Sequence, residues 1–236
     1  MPLISPLQLA ELLLALCNTQ VWVQGRHLLP PGPAIIISNH RSFLDAPLLM
    51  AALGRPIQFA CHYYLTQVPG LREIVLELGC IPLKQGCANQ VHFFRQAEHH
   101  LHQCGSIGIF PEGARQITRC CSPAEMAPFQ AGFAHLAYRS HLDPLPIIPI
   151  SIHVRQEWLA PPLPLALFRW VDPTEPMFRG EGSHPVVIYE DVSVTIGEPL
   201  WVHQEDREAR GAEKQHRIHQ LTDKAYQTVQ ENLRYG

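Results

Sequence analysis

The chain has few lysines, no C-x-x-C pair and no apolar run long enough to cross a bilayer. Each shortage removes a class of function. The formal charge of -3 and the isoelectric point near 6.5 give no global basic field, so a nucleic-acid partner is not expected. Arginine far outnumbers lysine, a bias that suits a forked grip on carboxylate or phosphate. The seven cysteines are odd in number and follow no secretory signal, which leads to the expectation of a reduced, intracellular chain. Their spacing offers no zinc site. A membrane-spanning helix needs roughly 20 apolar residues. The longest candidate, residues 7–17, is short, is interrupted by Gln8 and Glu11, and lacks the basic flank of a signal peptide. No transmembrane helix is expected, while a peripheral position on the cytoplasmic side of a membrane stays compatible.

What is present describes a globular protein. The 236 residues are 46% hydrophobic and 17% charged, enough to bury a core without disulfide or metal staples. Residues 1–19 read as an N-terminal amphipathic helix and 20–236 as one domain that includes a C-terminal helix. Ser5-Pro6 has the form of a helix start, after which Leu9, Leu12, Leu13 and Leu16 share a predicted face. That face suits either packing on the domain or lying on a membrane surface. Residues 34–38 (AIIIS) form a β-branched run of buried-strand type. Strands are also expected at 21–23, 57–61, 80–83, 106–110, 147–154 and 186–196. Helices are expected at 42–53, 71–78, 89–104, 130–141 and 214–233, with Val91, Phe94, Ala97 and Leu101 near one face of the segment 89–104. The proline-rich stretch 159–176 reads as irregular. Alternating strands and helices predict an α/β fold, a mixed central sheet flanked by helices, with its ligand site near strand ends.

Two segments carry chemistry. In Ser38-Asn39-His40-Arg41-Ser42-Phe43-Leu44-Asp45, His40 follows directly on the predicted buried strand. Residues five apart diverge on a continuous helix, but a turn between them lets Asp45 reach back to the imidazole. Neutral histidine accepts a proton near neutral pH, and a carboxylate on its other nitrogen fixes the tautomer and stabilises the imidazolium. Ser42-x-x-Asp45 also matches a capping box, so the same carboxylate reads equally as a helix cap. The second segment, Phe110-Pro111-Glu112-Gly113-Ala114-Arg115, again follows a strand. Its arginine on a glycine-containing turn suits a phosphate.

Taken in order, NHxxxxD and then FPEGxR about 70 residues later resemble the glycerolipid acyltransferase family, whose best-known members acylate lysophosphatidic acid. Gly79-Cys80-Ile81-Pro82-Leu83 is similar to that family's second block and Leu145-Pro146-Ile147-Ile148-Pro149-Ile150 to its fourth. Ile196-Gly197-Glu198-Pro199-Leu200 resembles its C-terminal strand and turn, so the likeness covers roughly residues 20–200. The resemblance implies His40 as general base and Asp45 as its orienter. It implies Glu112, Gly113 and Arg115 at the acceptor's glycerol phosphate, Lys84 as a further phosphate contact, and Pro149 on the acyl-donor side. It implies no bound cofactor or metal. The co-substrate would be acyl-CoA or acyl-ACP, with a lysophospholipid acceptor, an acyl-carrier protein as an alternative partner, and a membrane surface. Glycerol 3-phosphate or another lysolipid remains an alternative acceptor, and a non-catalytic lipid-binding module a second alternative. The chain departs from the family pattern at Ala114, where threonine is common, at Gln116, where serine often stands, and at Gln85, which best-fit register places at the usual basic position. These departures bear on the acceptor rather than on the proton transfer.

Other features have ordinary readings. His92, His99, His100 and His102 on one predicted helix suit a solvated face better than a metal. The apolar stretch 158–170, bounded by Trp158 and Trp170, suits either a membrane interface or a loop over the core.

Overall fold

A computed structural model of the chain describes residues 4–83, 87–113, 125–164 and 183–235. Lys84, Gln85, Ala114, Arg115, Gln116 and Trp170 lie outside them. Its helices are α1 (Pro6–Leu16), α2 (Asp45–Leu53), α3 (Leu71–Glu77), α4 (Cys87–His102), α5 (Gly132–Arg139), the short α6 (Gln204–Arg207) and α7 (Gly211–Tyr235). The strands are β1 (Gln20–Gln24), β2 (Ala34–Ser38), β3 (Gln58–His62), β4 (Ile81–Leu83), β5 (Ser106–Ile109), β6 (Leu145–Pro164), β7 (Ser183–Ile196) and β8 (Leu200–Val202). They form one eight-stranded sheet in the order β1-β7-β6-β2-β5-β3-β4, with β8 also on β6. The sheet is mixed: β2, β3, β4 and β5 run parallel, whereas β6 runs antiparallel to β7 and β8. This is the expected α/β architecture.

Strand β2 lies at the centre and is buried along its whole length, as a strand covered on both faces must be. Ile36 points into a core with α1, α2 and Phe59, while Ile35 and Ile37 point into a second core with α4, α5 and α7. Helix α1 begins as read: Ser5 and Gln8 form a capping box and Pro6 follows the cap. Its buried stripe differs from the expected one. Ala10 and Leu14 enter the core, whereas Leu12 and Leu16 are exposed. Leucines surround this helix, so periodicity could not choose the stripe; tertiary packing against α2 did. The same correction applies to α4, where Phe93, Ala97 and Leu101 are buried and Val91 is exposed.

Residues 159–164, expected to be irregular, continue β6 in antiparallel pairing with β7. A register shift between Ala160 and Leu163 absorbs the Pro161-Pro162 pair, whose missing N–H groups would otherwise break the ladder. Pro149 is accommodated by a different route. It is buried on β6 where the neighbour changes, β8 pairing up to Ile147 and β7 from Ile150 onward. Its carbonyl takes the Gly197 N–H at 2.8 Å across that junction.

Gly108 in β5 shows how the core shapes the site. A Cβ there would lie 2.2 Å from the Phe59 ring. That space lets Phe59 stack on Phe110 with ring centroids 5.1 Å apart. Gly108→Ala must therefore displace Phe59, and overpacking of this kind costs about 1–3 kcal/mol. Urea denaturation should show a loss in that range, and an unchanged midpoint would mean that Phe59 has room to spare.

Candidate active site

His40 sits between the end of β2 and the start of α2, in the turn 39–44. The turn does what the sequence requires of it. Asp45 is the first residue of α2, fully buried, and its Oδ2 lies 2.7 Å from His40 Nδ1. The helix begins three residues later than expected, because Asp45 draws the preceding backbone around itself. Its Oδ2 accepts the N–H groups of Arg41 at 2.7 Å and Ser42 at 2.9 Å. The capping box read from the sequence is only half formed: Asp45 takes the Ser42 N–H, but the Ser42 hydroxyl accepts from Leu44 rather than from Asp45. A negative charge at a helix start is favourable in itself. The carboxylate at Nδ1 requires a proton there, which leaves Nε2 of the neutral ring as the acceptor.

The imidazole is held on its other sides as well. Phe110 stacks against it, with centroids 3.9 Å apart and planes within 6°. The His40 N–H donates to Glu112 Oε1 at 2.9 Å, and the Ala127 N–H donates to Oε2 at 2.6 Å. Glu112 is buried, so its carboxylate ties the FPEG turn to the His40 turn and to the segment before α5. This differs from the position on the acceptor's phosphate that the resemblance implied for it. Gly113 does face the cavity. It holds a φ of +74°, which favours glycine, and a Cβ there would approach the Gln130 amide to 3.2 Å. Pro149 is absent from the cavity wall among the described residues; it serves the sheet junction instead. Arg115 and Lys84 lie outside the described residues.

Several contributors were not singled out by sequence. Asn39 clasps the backbone of Ile152, donating to its carbonyl at 2.9 Å and accepting its N–H at 2.8 Å. Arg41 forms an ion pair with Glu157 of β6. The Ser42 hydroxyl donates to the Val187 carbonyl at 2.7 Å. The Tyr189 hydroxyl donates to Asp45 Oδ1 at 2.6 Å. Burial, followed by the Asp45 charge, holds the Tyr189 pKa well above its ordinary value, so the group remains a donor. One signal was available: a tyrosine on the inward face of a strand needs a partner for its hydroxyl. Nothing local named Asp45 as that partner.

His40, Arg41 and Ser42 open on a cavity of about 910 Å³. Its wall includes Phe43, Phe59, Leu71, Ile74, Leu78 and Phe93, and Leu13 of α1. The volume and largely apolar lining are those of a small-molecule site with a few fixed polar contacts. On the four-histidine helix, His92, His99 and His102 are exposed and His100 lies over Gly105.

Tyr189→Phe removes a hydrogen bond to a buried carboxylate, an interaction worth about 1.5–3 kcal/mol. Unfolding free energy should fall by that amount in urea titrations, and a wild-type midpoint would show that another donor serves Oδ1.

A family model described as Acyltransferase matches residues 20–153. Among curated relatives, the chloroplastic 1-acyl-sn-glycerol-3-phosphate acyltransferase BAT2 of Brassica napus is 27% identical over 133 residues, covering 55% of this chain and 36% of that protein. The human 1-acyl-sn-glycerol-3-phosphate acyltransferase alpha is 32% identical over 147 residues, covering 61% of this chain and 49% of that protein. The chain therefore matches about a third to a half of the length of these relatives. The crystal structure of the 1-acyl-sn-glycerophosphate (LPA) acyltransferase PlsC from Thermotoga maritima aligns with a TM-score of 0.61 at 18% identity, covering 98% of this chain and 77% of that one. That likeness is one of fold. With the family model spanning more than half of its residues, the chain belongs to the acyltransferase family.

Proposed function

We propose that this chain transfers a fatty acyl group from an acyl thioester, acyl-CoA or acyl-ACP, to the sn-2 hydroxyl of 1-acylglycerol-3-phosphate. The observation that carries the reading is the His40–Asp45 pair at 2.7 Å, opening on a large apolar cavity. Nε2 of His40 takes the hydroxyl proton as the oxygen attacks the thioester carbonyl. The tetrahedral intermediate collapses, the carbon–sulfur bond breaks, and the thiolate leaves with the proton returned from the imidazolium. The attacking oxygen belongs to the acceptor, so no protein nucleophile is needed. The cavity takes acyl chain. Arg115, Lys84 and Gly113 take the acceptor's phosphate, with Glu112 acting from behind as the brace between the two turns.

A peripheral position on the cytoplasmic side of a membrane accords with the substrate. Among the described residues no helix is long and apolar enough to cross a bilayer. Phe43 is half exposed beside His40, and Leu12 and Leu16 are exposed on the helix that contributes Leu13 to the cavity. Exposed apolar side chains on elements that line the cavity suit insertion into the interfacial layer of a membrane.

The test is transfer of a labelled acyl group to lysophosphatidate, crossed with glycerol 3-phosphate and other lysolipids as acceptors and with both thioester carriers. His40→Ala should lower the rate by about 10²–10⁴-fold, the usual contribution of a general base. A rate in His40→Ala equal to wild type would overturn the mechanism, and preference for another acceptor would reassign the substrate.

A further inference from the structure

Away from His40, the cavity wall turns polar a second time. His135 and Arg139 of α5 face it together with Lys214 in the first turn of α7. These groups come from the helices on the sheet face opposite α1 and α2. Glu98 partly neutralises Arg139, at 2.6 Å. Lys214 is half-buried, and among the described residues no carboxylate pairs with it. Burial and then the charge of Lys214 hold the His135 pKa below its ordinary value, which places the two groups in each other's field. A half-buried ammonium facing a mostly apolar cavity is placed to meet an anionic ligand by a charge-assisted hydrogen bond.

We infer that Lys214, with Arg139 and His135, binds the phosphate at the far end of the pantetheine arm of the acyl donor, the group that acyl-CoA and acyl-carrier protein share. The inference rests on the acyl-thioester reading above. Position favours the donor over the acceptor. In lysophosphatidate the phosphate lies only a few bonds from the reacting hydroxyl, so it must sit beside His40 and the FPEG turn. Gln130 marks that place, since it adjoins Gly113. Helix α5 starts two residues later, and at 1.5 Å per residue His135 and Arg139 stand about 5 and 10 Å further along it from Gly132. A long arm can continue past the FPEG turn along α5, and a glycerol phosphate anchored at that turn does not. Lysine is also scarce: Lys214 is one of three in the chain, with Lys84 and Lys224.

Calorimetric binding to the full chain separates the possibilities without requiring turnover. The probes are coenzyme A, 4′-phosphopantetheine, pantetheine and glycerol 3-phosphate. Wild type should bind phosphopantetheine about tenfold or more tightly than pantetheine, the scale of a charge-assisted hydrogen bond. Lys214→Ala should close that gap and Lys214→Arg should restore it, with coenzyme A following phosphopantetheine and glycerol 3-phosphate unaffected. Equal binding of pantetheine and phosphopantetheine by wild type overturns the inference. So does a gap that survives Lys214→Ala, or a loss confined to glycerol 3-phosphate. In the transfer assay, Lys214→Ala should raise KM for whichever carrier is used, acyl-CoA or acyl-carrier protein. If the binding gap follows Lys214 while no acyl transfer occurs, the phosphate site stands and the assigned reaction falls. If transfer from acyl-CoA proceeds with no such gap, the reverse holds.

Discussion

The site depends on satisfying one buried carboxylate. Asp45 has no exposed surface, and a charge in that position is tolerable only when hydrogen bonds replace its lost water. It collects the Nδ1–H of His40, the backbone N–H groups of Arg41 and Ser42, and the hydroxyl of Tyr189. The two backbone bonds force residues 41–45 into a tight turn, and that turn throws the imidazole out over the strand end. The fourth donor comes from β7, more than a hundred residues away. The same carboxylate therefore shapes the turn, fixes the histidine ring and anchors both to β7.

The same turn is fastened along its length by the β6–β7 hairpin: Asn39 on Ile152, Arg41 on Glu157, Ser42 on Val187 and Asp45 on Tyr189. Those fastenings need β6 as far as Glu157, opposite Tyr189, and Leu159, opposite Val187. A shorter strand would leave Arg41 without its ion pair. The family match ends at residue 153, so Glu157, Val187 and Tyr189 lie beyond it. The matched span holds His40, and the following hairpin fastens its turn. On the opposite side Phe110, backed by Phe59 in the space above Gly108, gives the ring a flat support.

The sequence was legible where interactions are local or where order matters. His40 and Asp45 are five residues apart, β2 is a run of isoleucines, and the two motifs follow one another in a recognisable order. All of these survive as read. What failed was any choice among equivalent local options. Helix α1 has leucine on every side, so only its contact with α2 could select Ala10 and Leu14. Long-range partners were also hidden. The resemblance implied a place for Glu112 at the acceptor's phosphate, and nothing in the sequence pointed to the backbone N–H groups of distant segments that its two oxygens accept. Tyr189 carried only the signal of an inward hydroxyl in need of an acceptor.

The bridge made by Glu112 has a consequence for how the chain can change length. Strands β2 and β5 are direct neighbours, and the carboxylate joins the turns that follow them end to end. The chain between those turns, through α2, β3, α3, β4 and α4, goes out and returns without setting the separation of the two motifs. Insertions or deletions on the outer side of that excursion leave the two turns in register. A single residue added inside either turn pulls Glu112 off the His40 amide. The gap of about 70 residues is thus slack in the string, while the knots at its two ends are tied tight.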